Sequence, residues 1–203
     1  QLLQTRNNPL SEENQELIKK AYDFAKQAHE GQERKSGDPY FIHPFETAKK
    51  VAEWGLDARV VSAAILHDAA EDTKHTLEEI KKEFGEEIAT LVDGTTKLGH
   101  FKYREDGRKW EKEKKENKAT DNFKKLILAI SDDIRVIFIK FADRLHNMKT
   151  LDALPKEKQA RIAAETYEIY APLAYRLGMT AVAGELEDLC LPYLFPKDYK
   201  WLL

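Results

Sequence analysis

Residues 66–73 read "LHDAAEDT" and place His67, Asp68, Glu71 and Asp72 within six positions. Imidazole and carboxylate are both good ligands for a divalent cation, and a carboxylate can also take a proton from water. At ~100° per residue, a helix stacks His67 with Glu71 and Asp68 with Asp72, all four on one side. Upstream, "VVSAAIL" requires the same helix to be surrounded by core. A His-Asp pair emerging from it meets a large desolvation penalty unless something compensates, and a divalent cation would do so. Alone, however, the stretch is also what the charged end of an ordinary helix looks like, where acidic groups are only mildly unfavourable.

Similar oddities recur. His43 in "YFIHPFETA" lies between apolar residues directly before a helix start. Asp143 in "IKFADRLHNMKTL" comes after nearly pure core and is succeeded by Arg144, His146, Asn147 and Thr150. Asp143, Asn147 and Thr150 share one helix face by the i, i+4, i+7 rule. One His, one His-Asp pair and one distant Asp can converge in a bundle core as a mixed nitrogen and oxygen site.

The elements that must position these groups are helical, with apolar residues three and four apart. "LSEENQELIKKAYDFAKQAHEG" opens on Ser11 as N-cap, has Glu12 and Glu13 in its first turn, and can close at Gly31. "HPFETAKKVAEWG" starts a second helix with Pro44 in its first turn and Gly55 as terminator. "DARVVSAAILHDAAEDT" reads as a third, buried and continuous. In "HTLEEIKKEFG", Thr76 and Glu79 form a capping box and Gly85 is the stop, with "EEIATLVDGTTKLG" directly after it. Residues 99–120 are mostly charged with no apolar stripe, a mobile loop or solvated arm. "DNFKKLILAISDD" then resumes the helical pattern. Within "IRVIFIKFADRLHNMKTL", "VIFI" alone would suit a buried strand, but its neighbours are helix formers at helical spacing, so the whole segment reads as a buried helix. "KEKQARIAAETYEIYAPLAYRLG" is a long amphipathic helix that Pro172 should kink, and "VAGELEDLCLPYL" is one more. The expectation is an all-α bundle.

With 203 residues the chain suits one domain. Its 34% charged content fits salt-bridged helical faces, and a net charge of -3 gives no global attraction to nucleic acid or anionic membrane. Trp54, Trp110 and Trp201 form no stacking stripe for bases. The single cysteine, Cys190, precludes an intrachain disulfide framework and points to a reducing compartment, and no apolar run approaches the ~20 residues of a membrane span. The chain opens on Gln1 rather than Met, which reads as part of a longer protein. Of the remaining histidines, His75 and His100 read as solvated and His29 as a support for the adjacent loop. His146 divides evenly between supporting the site and plain structure.

His43, the "HD" of His67 and Asp68, and Asp143 resemble the H…HD…D signature of HD-domain metal-dependent phosphohydrolases. More closely, "GQERKSGDPYFIHPFETA", "ILHDAAEDT", "LVDGTTKL", "DIRVIFIKFADRLHNMKTL", "IAAETYEIYAPLAYRLGM" and "ELEDL" are similar, in order, to the hydrolase domain of the RelA/SpoT family of (p)ppGpp synthetase/hydrolases. The resemblance implies an all-α HD-domain helical bundle over residues 1–203 with a single metal site in its core. It implies Mn2+ on His43, His67, Asp68 and Asp143, with Glu71 and Asp72 positioning and activating the attacking water. It lays Arg34, Lys35 and Ser36 of the "RKSG" stretch against the guanine ring, sets Asn147 and Thr150 on the opposite wall, and brings Lys140 and Arg144 near phosphate. The implied activity is hydrolysis of the 3′-pyrophosphate of ppGpp or pppGpp, in a cytoplasmic enzyme of the stringent response. Two alternatives stay open: an HD phosphohydrolase acting on another nucleotide, and a regulatory domain that binds nucleotide without turnover. The ending "LCLPYLFPKDYKWLL" resembles the family's domain junction, so an excised domain with a synthetase domain C-terminal to it is preferred over a stand-alone hydrolase. "DNF" at 121–123 and Phe141 depart from the family's usual "ENF" and "KLAD" wording, which bears on the loop and its regulation more than on the metal site.

Overall fold

The structure, a computed structural model, describes residues 10–99 and 133–202. Most of the charged 99–120 segment, His100, Trp110 and the "DNF" helix lie outside the described residues. Those described are helical, joined by turns, with a single isolated antiparallel bridge between Glu33 and Pro39. They group into two compact units. The first comprises the chain through Gln32 and then Tyr40–Lys140; the second comprises Glu33–Pro39 and the chain from Phe141 onward.

In the first unit, α1 (Glu12–Ala28) begins where the Ser11 hydroxyl accepts the Asn14 N–H at 3.3 Å, with Glu12 and Glu13 on the favourable end of the dipole. Ile18, Ala21 and Ala25 form its buried stripe. After α2 (Ile42–Glu53), Asp57 caps α3 (Ala58–Leu66) by accepting from Arg59 N and Val60 N at 2.8 and 3.1 Å. Helix α3 packs against α1, α2 and α6. Apart from Arg59, every residue from Ala58 to Leu66 is buried. Full burial of a Val, Ile or Leu side chain is worth about 1.5–3 kcal/mol, so this helix anchors the unit and holds the residues at its C-terminal end in place.

The chain breaks at that end. The expected continuous helix stops at Leu66, turns at His67 and Asp68, and resumes as a single turn, α4 (Ala69–Asp72). His67 folds its Nδ1–H back onto the Ala64 carbonyl at 2.8 Å, a side-chain bond that competes with the helical ladder. Helix α5 (Leu77–Phe84) carries the full capping box, with Thr76 Oγ1 accepting from Glu79 N and Glu79 Oε2 accepting from Thr76 N. Gly85, at φ +89°, separates it from α6 (Glu86–Gly99), and α7 (Arg135–Lys149) is a helix through "VIFI", as expected.

Helix α7 passes into the second unit after Lys140. There a 3-10 turn (Leu151–Ala153), α8 (Lys156–Glu165), α9 (Ala171–Arg176), α10 (Thr180–Leu194) and a short α11 (Pro196–Leu202) complete the described chain. Met148, Leu151, Ala163 and Cys190 form a buried cluster of this unit. The expected kink at Pro172 takes the form of a π turn over Thr166–Tyr170, in which Ala171 N–H bonds the Thr166 carbonyl five residues back. Pro172 has no N–H to offer the Glu168 carbonyl, and the wider turn absorbs that gap in the ladder.

Candidate functional site

In the first unit, the start of α2 and the break after α3 meet. His43 lies in the first turn of α2, and His67 and Asp68 occupy the break. Both histidines are 2% exposed. Asp68 Oδ1 lies 3.1 Å from His67 Nε2, and Asp68 Oδ2 lies 3.5 Å from His43 Nε2. The three donor atoms fall within 4.8 Å of one another. Because a carbonyl can only accept, the bond to Ala64 places the His67 proton on Nδ1 and leaves the Nε2 lone pair facing the carboxylate. Two acceptors at that distance repel unless a proton or cation lies between them, and a backbone bond on the far nitrogen is the usual way a metal-ligating histidine is oriented. The set of two imidazoles and a carboxylate therefore fits a first-row divalent cation.

Glu71 and Asp72 sit on α4, directly after this cluster. Glu71 is half-buried and Asp72 is exposed. The Tyr40 hydroxyl donates to Asp72 Oδ2 at 2.5 Å and lies 3.1 Å from Asp68 Oδ2. Burial, then the neighbouring Asp68 and Asp72 carboxylates, hold this hydroxyl well above its ordinary value, so it remains a donor. Lys140, the last residue of this unit on α7, is 8% exposed.

The other expected site residues belong to the second unit. The "RKSG" stretch is a tight loop closed by Arg34 N–H to Asp38 O at 2.8 Å and Gly37 N–H to Arg34 O at 2.9 Å, with Gly37 at φ +87°. Lys35 and Ser36 are exposed, and Ser36 donates to Asp38 Oδ2. The Arg34 guanidinium reaches α7, donating to Asn147 Oδ1 at 2.8 Å, His146 Nδ1 at 3.1 Å and Thr150 Oγ1 at 3.3 Å. Asn147 Nδ2 in turn donates to Asp143 Oδ1 at 2.5 Å. The i, i+4, i+7 face expected from the sequence is thus joined to the loop through one arginine. Arg144 points elsewhere: its guanidinium lies 4.0 Å from the Tyr170 ring centre and bonds Glu165 Oε1 at 3.4 Å. Burial alone would weaken its charge, but Tyr170, Glu165 and Asp143 outweigh that and raise its pKa.

Several residues carry more than the sequence suggested. Tyr40, three positions before His43, has no spacing signal of its own. His29 stacks flat on Tyr40, with centroids 4.8 Å apart and planes 14° apart, rather than acting on the loop directly. His75 is not simply solvated; it pairs with Glu79 at 3.1 Å and packs on Phe24.

Comparisons with known proteins agree with this geometry. A family model described as "HD domain" matches residues 21–180. An Aquifex aeolicus guanosine-3′,5′-bis(diphosphate) 3′-pyrophosphohydrolase is 49% identical over 185 residues, covering 91% of this chain and 25% of its own length. A Myxococcus xanthus GTP pyrophosphokinase is 48% identical over 184 residues, covering 91% and 24%. The chain therefore spans about a quarter of the length of these curated relatives. A solved structure described as a metazoan ortholog of SpoT that hydrolyzes ppGpp aligns with a TM-score of 0.55 at 21% identity, covering 94% of this chain and 91% of that one, and shares the fold. This chain belongs to the HD domain family, in the branch formed by the RelA/SpoT proteins.

Proposed function

We propose that this chain is a hydrolase domain that removes the 3′-pyrophosphate of ppGpp or pppGpp, releasing GDP or GTP and pyrophosphate, with Mn2+ as its metal. The observation that carries the reading is the buried convergence of His43 Nε2, His67 Nε2 and the Asp68 carboxylate, with Glu71 and Asp72 on the very next helical turn. The fourth ligand, Asp143, rests on the sequence motif alone. The names of relatives divide between hydrolysis and synthesis. The intact His-Asp and Glu-Asp pairs favour hydrolysis here.

When bound, a divalent cation supplies polarisation of a phosphoryl oxygen and a lowered pKa for water. The protein's own groups do the rest. Glu71 or Asp72 accepts the proton of the attacking water, at hydrogen-bond reach. His67, its proton fixed on Nδ1 by Ala64, presents a lone pair and cannot protonate without losing that role. Arg34 lays a planar guanidinium on the guanine, Lys35 and Ser36 contact the nucleotide beside it, and Asn147 and Thr150 hold it from α7. In the free protein Arg34 already bonds Asn147 and Thr150, so the nucleotide exchanges these bonds for its own. Lys140 and Arg144 offset phosphate charge, which an acidic chain cannot do globally. A synthetase domain C-terminal to this one, as in a bifunctional protein, is the partner this reading expects in the cytoplasm. No described helix is long and apolar enough to cross a membrane.

The test is incubation with ppGpp and Mn2+, with GDP and pyrophosphate as the readout. Chelation should abolish release and added Mn2+ should restore it. His67→Ala should lose Mn2+ in calorimetry, whereas Glu71→Ala should retain it and lose about 10²–10⁴-fold in kcat. Absence of release with Mn2+ demonstrably bound refutes the proposal. Turnover of NADPH or a nucleoside triphosphate in its place would assign another HD phosphohydrolase, and ppGpp binding without turnover a regulatory domain.

A further inference from the structure

The Tyr40 hydroxyl is shared by a carboxylate expected to hold the metal and a carboxylate expected to handle water. We infer that Tyr40 is a positioning residue, whose hydroxyl fixes the Asp72 carboxylate relative to Asp68 and is itself braced by His29 and Gln32. The inference deepens the hydrolase reading and rests on it for the roles of the two acids.

The hydroxyl has one proton and two acceptors. At 2.5 Å against 3.1 Å, the shorter contact to Asp72 takes the proton and the longer one orients Asp68. Asp72 is exposed, and a solvated carboxylate left to itself samples several rotamers. Asp72 is held a second time through its backbone, where Gln32 Nε2 donates to its carbonyl at 2.8 Å. The same Gln32 presents Oε1 to His29 Nδ1 at 2.8 Å, and its carbonyl accepts the Tyr40 N–H at 2.8 Å. His29 then stacks on the Tyr40 ring, which stands edge-on to His43 at 6.4 Å. His29 is 2% exposed, and its Nε2 is buried without a hydrogen-bond partner among the described residues. A buried imidazole that leaves one nitrogen unsatisfied is retained at a cost. Here its flat face and Nδ1 both serve the Tyr40–Gln32–Asp72 arrangement. Displacement of a reacting group by ~1 Å can cost ~10²-fold in rate, which is the scale on which such bracing matters.

Tyr40→Phe removes the hydroxyl and keeps the ring, its stack on His29 and its backbone bond. Steady-state hydrolysis of ppGpp by the whole chain should show kcat reduced about 10–100-fold with KM within about threefold. Calorimetry with Mn2+ alone should show affinity weakened at least about threefold, because Asp68 loses an orienting bond. A raised KM with kcat intact would make Tyr40 a substrate contact and overturn the inference; so would kcat and Mn2+ affinity both within about twofold of wild type. If the wild-type chain releases no pyrophosphate, the hydrolase reading fails separately, and the Mn2+ titration still decides for or against the Tyr40–Asp68 bond. Should Tyr40→Phe not fold, Gln32→Met carries the test: a fall in kcat at constant KM supports the bracing, and wild-type kcat refutes it.

Discussion

Gly94, in the "LVDGTTKL" stretch of α6, is a helical glycine with a neighbour that leaves no room for a side chain. A Cβ built there would lie 2.7 Å from Val136 Cγ2 and 3.3 Å from Cγ1 on α7. Carbon atoms rest at about 3.5–4.0 Å, so the nearer contact is roughly 1 Å too short. Val136 is 2% exposed and β-branched, and a helical valine is held largely to one rotamer, so it cannot swing aside. Helix propensity alone favours Gly94→Ala by about 1 kcal/mol, whereas forcing a methyl into a packed core costs about 1–3 kcal/mol. The expected net is a loss of up to about 2 kcal/mol, or a Tm lower by about 2–4 °C per kcal/mol in a chain of this size. In a Val136→Ala background the obstruction is gone and the propensity remains, so the same substitution should stabilise by up to about 1 kcal/mol. Urea unfolding of the four proteins in the cycle, at constant m, reads the coupling directly. If Gly94→Ala stabilises equally in both backgrounds, the close approach of α6 and α7 at this point is not what the glycine is for.

Local chemistry sets three further outcomes. Thr76→Ala removes the side-chain acceptor for Glu79 N–H and breaks the capping box of α5, which should cost about 0.5–2 kcal/mol in a thermal melt. Hydrogen bonds from Arg135 hold the Asp133 carboxyl below its usual value despite partial burial. A depressed carboxylate contributes stability above its unfolded pKa, about 3.9, and loses it as pH falls through the folded value. Asp133→Asn should therefore be less stable than wild type at pH 7, with the difference vanishing by about pH 2–3; a gap that widens in acid would be the wrong sign. Burial pushes the Cys190 thiol up to about 11, so a disulfide reagent at about pH 8 should leave it unmodified in the native protein and react at once in urea.

Much of this architecture is legible in residue types, because the signals are local. Ser11, the Thr76–Glu79 box and Gly85 each act within one helical turn, and each stands where the sequence places it. The approach of His67 and Asp68 to His43 is legible for a different reason: buried polar groups need partners, and so few are available that the candidates almost select themselves. The break after Leu66 is not legible, since alanines on both sides favour helix, and only the competition for the Ala64 carbonyl decides otherwise. Nor is Tyr40, whose hydroxyl acquires its two carboxylate partners from segments 28 and 32 residues away. The Arg34 contacts span more than a hundred residues, and periodicity carries no information at that range.

The π turn before α9 makes chain length matter at one point in the second unit. An α-helix rotates ~100° per residue, and a turn closed five residues back instead of four behaves as one residue inserted into that count. Removing any single residue from Thr166–Tyr170 would mend the ladder and swing everything beyond it by roughly 100°. The Tyr170 ring would come out from under Arg144, and Thr166 could no longer bond both the Ile162 carbonyl and the Met148 sulfur. The segment therefore behaves like a reading frame: its composition can drift, but its length is a number the rest of the unit has been built to count.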